Sequence, residues 1–308
     1  MKKILASIII PVYNRHDDLH HVLNQLAAQE CLDFEVVIVD DGSEPPIRFD
    51  TGSAPYPLRV LRHETRCGIG KARNSGVLAA AADVLVFVDS DGDIFDTRWF
   101  EKHKDLFKQA REKAQQSGKA GCVLHSEVVG ISRGYWGRTD SYSNWFGSTT
   151  KRPGEIADRH VPTHNTATER RVFDVVGLFN ESLELCEDVE WAFRCLEAGV
   201  GLFLYPGAPV GHYDRNTFRG MWQHYYRFGL YTLKARNTNK RSPYGWLFPR
   251  TIPAAMALLL ITPTLMSVYV TWQWLKQTPK ILWYLPGLYL ANLASYLGMC
   301  RSLMGGKP

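Results

Sequence analysis

Near the amino end, unbroken apolar runs give way to polar groups at their carboxyl ends. Ile8-Ile9-Ile10 leads into Pro11-Val12-Tyr13-Asn14, Val36-Val37-Ile38-Val39 into Asp40-Asp41-Gly42-Ser43, and Val84-Leu85-Val86-Phe87-Val88 into Asp89-Ser90-Asp91. Short apolar runs bounded by turn formers predict strands buried on both faces. Between them the spacing turns helical, with Leu19, Val22, Leu23 and Leu26 in 17–29, and Ala72, Val77, Leu78 and Ala81 on the inner side of 71–82, which Gly68-Ile69-Gly70 opens. Strands over 4–12, 34–39, 58–61 and 84–88 thus alternate with helices. A Pro-, Gly- and Ser-rich loop fills 44–57. This alternation predicts an α/β fold with a doubly wound, mostly parallel sheet and right-handed crossovers.

Further on, 99–116 reads as a long charged helix and 123–129 as a strand. Residues 132–160 show no period but hold Tyr135, Trp136, Tyr142, Trp145 and Phe146. A structureless stretch of that length predicts a lid or binding loop. Short helices follow at 169–178, ending at Gly177, and at 188–198, with Val189, Ala192, Phe193 and Leu196 on one face and Gly199 as the stop.

From 251 the pattern changes. Residues 251–275 carry no charge, and 281–300 repeat that character, with Trp283 and Tyr284 at one end and Arg301 closing the other. Each segment approaches the roughly 20 residues that cross a bilayer. Pro253, Pro263 and Pro286 interrupt them, which membrane helices tolerate. The expectation is a catalytic domain over 1–245 and a membrane-inserted helical hairpin over 246–308, with a re-entrant or interfacial pair as the alternative. Lys234, Arg236, Lys240, Arg241 and Arg250 precede the hairpin and Arg301 and Lys307 follow it, against Lys276 and Lys280 between. That bias puts the catalytic part on the cytoplasmic face of the inner membrane.

Composition changes the picture little. Over 308 residues the net charge is +5 with no long basic run, so nucleic acid is not an expected partner. The cysteines at 31, 67, 122, 186, 195 and 300 lack the spacing of a zinc or redox pair and read as reduced thiols. Met1-Lys2-Lys3 and the apolar stretch behind it run into Pro11 without a cleavage pattern, so this segment reads as the first strand and not as a signal peptide.

Strand carboxyl ends of an open parallel sheet line one crevice, where ligands bind. Carboxylates gathered there repel one another unless a cation or hydrogen-bond donors intervene. The ligand implied is metal-bound, phosphorylated or rich in hydroxyls. Asp89 and Asp91 are spaced to share a hard divalent cation, and a metal on a diphosphate stabilises the charge of the leaving group. Asp40 is placed to accept hydrogen bonds from a base or ribose beside Pro11 and Tyr13, whose ring can stack on a base. Arg73 can meet a nucleotide. Glu187 and Asp188 begin a helix, where they serve as a cap or as a general base. His212 is a candidate third metal ligand, or a satisfied loop histidine. Gln223 and Arg227 lie four apart on 222–231, which lets an arginine face a diphosphate or pack on the surface.

The ordered set Ile-Pro-Val-Tyr-Asn-Arg (10–15), Val-Asp-Asp-Gly-Ser (39–43), Gly-Ile-Gly-Lys-Ala-Arg-Asn-Ser-Gly (68–76), Val-Asp-Ser-Asp (88–91) and Cys-Glu-Asp-Val-Glu-Trp-Ala-Phe-Arg (186–194) resembles the family 2 glycosyltransferases of the GT-A fold, over roughly 4–230. The resemblance implies a Rossmann-like, mostly parallel sheet flanked by helices. It also implies inverting transfer from a nucleotide sugar, a UDP-sugar by family habit, with Mn2+ or Mg2+. Carried over, Asp40 contacts the base with Tyr13 and Arg73 beside it, Asp89 meets ribose and the metal region, Asp91 ligates the metal, and Asp188 is the catalytic base next to Glu187. Residues 164–171 resemble the acceptor-side stretch, followed by Leu178-Phe179-Asn180-Glu181 where Gly-Phe-Asp-Glu is usual. The Gln-x-x-Arg-Trp of processive members is absent, which implies transfer of one or few sugars. The acceptor expected is a saccharide or a lipid-linked one, for cell-envelope glycan or glycolipid synthesis. The rivals are a sugar-nucleotide-binding membrane protein without catalysis, and a nucleotidyltransferase. The latter needs a Gly-rich basic loop where Tyr13-Asn14-Arg15-His16 stands.

Overall fold

The computed structural model describes residues 4–146, 153–157, 160–237 and 244–305. In chain order the elements are β1 (Ala6–Val12), α1 (His16–Ala27), β2 (Phe34–Asp40), β3 (Leu58–Arg62), α2 (Ile69–Ala79), β4 (Val84–Phe87), β5 (Gly92–Asp93), α3 (Trp99–Gln116), β6 (Cys122–His125) and β7 (Val128–Ile131). Then come α4 (Gly134–Trp145), β8 (Gly154–Ile156), β9 (Thr166–Glu169), α5 (Arg170–Val176), α6 (Glu187–Glu197), β10 (Gly201–Leu204), β11 (Val210–Tyr213), α7 (Phe218–Asn237), α8 (Ile252–Leu258), α9 (Ile261–Leu275) and α10 (Leu285–Leu303). Packing groups them into two units, 1–128 with 151–212, and 129–150 with 213–308.

The first unit holds an eight-stranded sheet in the order β3-β2-β1-β4-β9-β6-β10-β8. β1 is buried throughout and runs parallel to both β2 and β4, with Val12 opposite Asp40 and Ile9 opposite Phe87. Alternate strand residues point to opposite faces. Ile8, Ile10, Val36 and Ile38 pack with Leu19, Val22, Trp99 and Phe100 from α1 and α3. Ile9, Leu85, Phe87 and Val123 pack on the other face with Val77, Val172, Phe173 and Trp191 from α2, α5 and α6. Each such side chain, fully buried, contributes about 1.5–3 kcal/mol. A mixed α/β sheet flanked by helices is the architecture that the strand–helix alternation predicts. Two strands depart from the parallel pattern: β9 runs antiparallel between β4 and β6, and β8 runs antiparallel beside β10 at the edge.

The second unit is helical. α7 buries Met221, Tyr225, Leu230 and Leu233 among Ala291, Ala294, Tyr296 and Met299 of α10. α4 and α7 group by packing with the carboxyl-terminal helices.

The aromatic stretch 132–160, expected to lack structure, contains α4 and β8 instead; 147–152 and 158–159 lie outside the described residues. Its helix has no apolar stripe because it makes contacts on several sides. Tyr135 stacks on Tyr284 and its hydroxyl accepts from the Gly287 amide (3.1 Å), Tyr142 meets Trp274 edge-on, and Trp145 donates to Asp214 (3.0 Å). The expected first span is also broken, with α8 and α9 meeting at a 51° bend. Pro263 supplies the cause, since its ring excludes the helical carbonyl of Leu259 and it has no amide to donate. Pro286 sits in the first turn of α10, which a 3-10 turn at Pro279–Tyr284 precedes. Among the described residues no single helix is long and apolar enough to cross a membrane, although the bent pair passes by length and composition.

Candidate functional site

Asp40 closes β2 and is completely buried. Its carboxylate accepts from the amides of Ser43 (2.8 Å) and Ile47 (3.1 Å) and from Arg62. Burial pushes its pKa up, but the hydrogen bonds from Ser43, Ile47 and Arg62 outweigh this and hold it below the usual range. Both oxygens brace the loop that follows β2. Asp41, also buried, accepts from the amides of Cys67 (2.9 Å) and Gly68 (2.8 Å). His63 donates to it through Nδ1 (2.7 Å) and meets Ser75 through Nε2 (2.9 Å). Gly42 is a glycine of necessity, with φ +81° and a Cβ that would lie 2.6 Å from the Arg66 amide. Tyr13, expected as a stacking ring, is exposed with the Arg66 guanidinium 5.1 Å above it. Pro11 is buried within β1, paired with Val39.

Deeper in, Arg73 on α2 joins two elements. One guanidinium nitrogen donates to Glu187 at the start of α6, and another to Asp89 just past β4 (2.9 Å). Arg73 is 3% exposed, and its Nε finds no partner among the described residues. Burial alone lowers the pKa of Arg73; Asp89, Glu187 and Asp188 together outweigh it and raise it. Burial likewise works against the Asp89 carboxylate, but Arg73, His164 and His212 hold its pKa below the usual range. Burial is the largest cause that pushes Glu187 up to about 8; Arg73 opposes it, while Asp188 and Asp89 add to it. One guanidinium cannot neutralise three carboxylates, so this one keeps a proton.

Asp188 is half-buried beside Glu187, its Oδ1 accepting from the Val189 amide (2.7 Å). Asp91 faces Arg15 (3.4 Å), which also pairs with Asp18 (2.8 Å). The Asp89 amide donates to His164 Nδ1 (3.1 Å), and the His164 ring stands 5.8 Å edge-on from His212. Burial, then His212, lower the His164 pKa, which keeps its imidazole neutral at pH 7. Gly92, paired with His212, admits His164; a Cβ there would come within 2.9 Å of Cε1.

The structure therefore brings together Asp89, Arg73, Glu187, Asp188, His212 and, through Asp89 and Arg15, Asp91. Arg227 belongs to the helical unit, exposed on α7 with Gln223. The chemistry of Asp89, Asp91 and His212, two carboxylates and an imidazole, fits an ion such as Mn2+. Their ligand atoms are not drawn into one cluster, since Asp89 is paired with Arg73 and Asp91 with Arg15. Among the described residues only Asp41, His63 and Cys67 have ligand atoms all within 4.8 Å of one another. His63 and Asp41 already spend those atoms on each other. Arg15 and Asp41 are the contributors that motif reasoning left without a role, and His164 was read only within an acceptor-side stretch. The signal for His164 is faint, because the strand it precedes reads as polar.

One consequence concerns Glu187. A carboxyl whose folded pKa lies above its unfolded value, 4.5 against about 8, adds stability that is full below pH 4.5 and is lost as pH climbs through 8. Without nucleotide or metal, the melting temperature of the parent should fall across that window, and Glu187→Gln should remove much of the fall. Parallel melting curves against pH for the two proteins would mean Glu187 is ionised throughout.

A doubly wound sheet whose strand ends gather carboxylates around one buried arginine defines a nucleotide-type α/β enzyme site. The chain belongs to glycosyl transferase family 2, whose model matches residues 7–177. It is 36% identical over 105 residues to an uncharacterized glycosyltransferase of Haemophilus influenzae, and 26% identical over 249 residues to the pre-mycofactocin glycosyltransferase of Mycobacterium tuberculosis. Those alignments cover 34% and 77% of this chain, but only 35% and 49% of the relatives' lengths. Among solved structures, the mannosyltransferase PcManGT from Pyrobaculum calidifontis, in complex with GDP-Man and Mn2+, superposes with TM-score 0.59 at 15% identity, covering 99% of this chain and 88% of its own. S. aureus TarS 1–349 in complex with UDP-GlcNAc gives 0.51 at 16% identity, covering 98% and 91%. At such identities these likenesses speak for the fold alone.

Proposed function

We propose that this chain is an inverting glycosyltransferase that moves a sugar from a nucleoside diphosphate sugar, a UDP-sugar on the family pattern, to a hydroxyl of a saccharide or lipid-linked acceptor. The carrying observation is the Arg73 bridge, which ties the acidic end of β4 to the start of α6. Direct displacement requires a base on the acceptor side and charge neutralisation on the leaving-group side. Asp188, carboxylate-bearing and half-buried, takes the proton of the attacking hydroxyl. Asp89 and Asp91, with His212, hold Mn2+ or Mg2+, which supplies charge neutralisation to the departing diphosphate. The loop braced by Asp40, with Tyr13 and Arg73 beside it, receives the base. Arg73 keeps Asp89 and Glu187 fixed. Arg227 is kept as a candidate diphosphate contact.

The acceptor is assigned to cell-envelope glycan or glycolipid synthesis, with the catalytic unit on the cytoplasmic side of the inner membrane and membrane-bound through the carboxyl-terminal helices. The intact Glu187-Asp188 pair disfavours a binding protein without catalysis. The loop after β1, Tyr13-Asn14-Arg15-His16, contains no glycine and disfavours a nucleotidyltransferase.

The test is a melting-temperature screen of nucleotide sugars with Mn2+, followed by product analysis. A true donor at about 100 times its Kd stabilises the fold by about 2.7 kcal/mol. Excess chelator should stop turnover; undiminished transfer in chelator would remove Asp91 from the metal. No stabilisation by any nucleotide sugar would sink the reading.

A further inference from the structure

Helix α9 turns large apolar side chains outward. It buries Thr262, Ser267 and Thr271 beside Pro263 and Val270 while exposing Ile261, Leu265, Val268 and Trp272. The buried hydroxyls are used or enclosed: Thr262 donates to the Leu247 carbonyl (2.9 Å), Ser267 accepts from Asn292 (3.0 Å), and Thr271 Oγ1 has no partner among the described residues. Water-facing helices show the reverse distribution. Met256, Leu260, Val268, Trp272, Leu282 and Trp283 are each between 54% and 80% exposed. So large an apolar display marks an interaction surface.

The charges say what covers it. From residue 244 onward every charged side chain is basic, at Arg250, Lys276, Lys280, Arg301 and Lys307, and there is no Asp or Glu. Lysine and arginine around exposed tryptophans suit a lipid surface with anionic headgroups. An apolar groove of about 450 Å³ between α9 and α10, lined by Val268, Leu285, Pro286, Tyr289 and Leu290, opens at the exposed Val268 and Leu285 and has room for part of an acyl chain.

The same unit resists spanning. α10 is locked backbone to backbone on α7, where a Cβ at Gly229 would strike the Ser295 carbonyl and one at Gly298 the Tyr226 carbonyl. α7 carries Arg219, Arg227, Lys234 and Arg236, and charged side chains are costly in hydrocarbon. A helix fastened to such a partner cannot cross alone, and the 51° bend leaves α8 and α9 without a straight span.

We propose that α8, α9 and the turn Pro279–Tyr284 lie in the plane of an anionic membrane surface and bind one leaflet without crossing it. This rests on the membrane association proposed above and narrows it to one mode.

The experiment mixes the full-length chain with vesicles of phosphatidylcholine, with and without phosphatidylglycerol. The expected result is at least tenfold tighter binding to the anionic vesicles, weakened by salt, with release by alkaline carbonate. Tryptophan fluorescence should be quenched more by bromines near the headgroup than by bromines near the chain end. Val268→Glu with Trp272→Glu should weaken vesicle binding at least tenfold while leaving the melting shift by nucleotide sugar unchanged. Retention after carbonate with quenching from the chain end would mean the chain spans, and would overturn the proposal. Failure to bind either vesicle, or a dimer that hides these tryptophans, would overturn it as well. Vesicle binding without any nucleotide-sugar shift would sink the transferase reading and leave this one standing.

Discussion

Asp188→Asn should lower sugar transfer by about a thousandfold or more while nucleotide-sugar binding stays nearly intact. General base catalysis is typically worth 10²–10⁴-fold. The substitution is close to isosteric: an asparagine carbonyl oxygen can still accept the Val189 amide that Asp188 Oδ1 accepts at 2.7 Å, so the start of α6 keeps its geometry. What is lost is a site for the proton of the acceptor hydroxyl. The donor is expected to bind at the loop braced by Asp40 and at Asp89 and Asp91, none of which this change touches. Single-turnover transfer and the donor-induced melting shift, measured together, separate the two roles. Equal transfer rates for variant and parent would end the assignment of Asp188. Loss of the donor shift along with transfer would make Asp188 a binding or folding residue instead.

The parts legible in the sequence are those where one physical demand dominates. β1, β2 and β4 are covered on both faces, so nearly every position is apolar and the strand announces itself. β9 is equally central, yet it reads Thr166-Ala167-Thr168-Glu169. Its threonines are buried because they bond to backbone carbonyls, Thr166 to Pro162 (2.6 Å) and Thr168 to Cys122 (2.9 Å), a solution that composition cannot reveal. With β9 hidden, the route by which His164 reaches Asp89 stayed hidden too. Asp40 and Asp41 show the same limit at the scale of one residue. A pair of adjacent acids after a strand points to the crevice, but which backbone amides each one braces is decided by the loops packed against it. The α4 segment was opaque for the opposite reason, since contacts on several sides erase the period by which a helix is recognised. The uncharged carboxyl-terminal segments were visible in composition, whereas the break at Pro263 and the grip of α7 on α10 are matters of packing.

Arg73→Met should be the most damaging single change to the first unit. Arg73 is the cation that touches both Asp89 and Glu187, and removing one partner of its buried ion pair with Asp89 costs about 3–5 kcal/mol. In a unit of this size each kcal/mol moves the melting temperature by about 2–4 °C, so a fall on the order of 10 °C is expected. Adding Glu187→Gln should recover part of that loss, because one of the carboxyls left bare is then gone; coupling between touching sites runs at about 0.5–3 kcal/mol. Arg73→Lys preserves the charge but offers no planar fork to reach Asp89 and Glu187 at once, so it should fall between parent and methionine variant in stability and bind the donor more weakly. Thermal melts of the three variants with and without nucleotide sugar and Mn2+ decide the matter. If Arg73→Met melts with the parent, or the Glu187→Gln addition recovers nothing, the bridge does not hold β4 and α6 together, and the single site that both the metal rim and Asp188 must share loses its support.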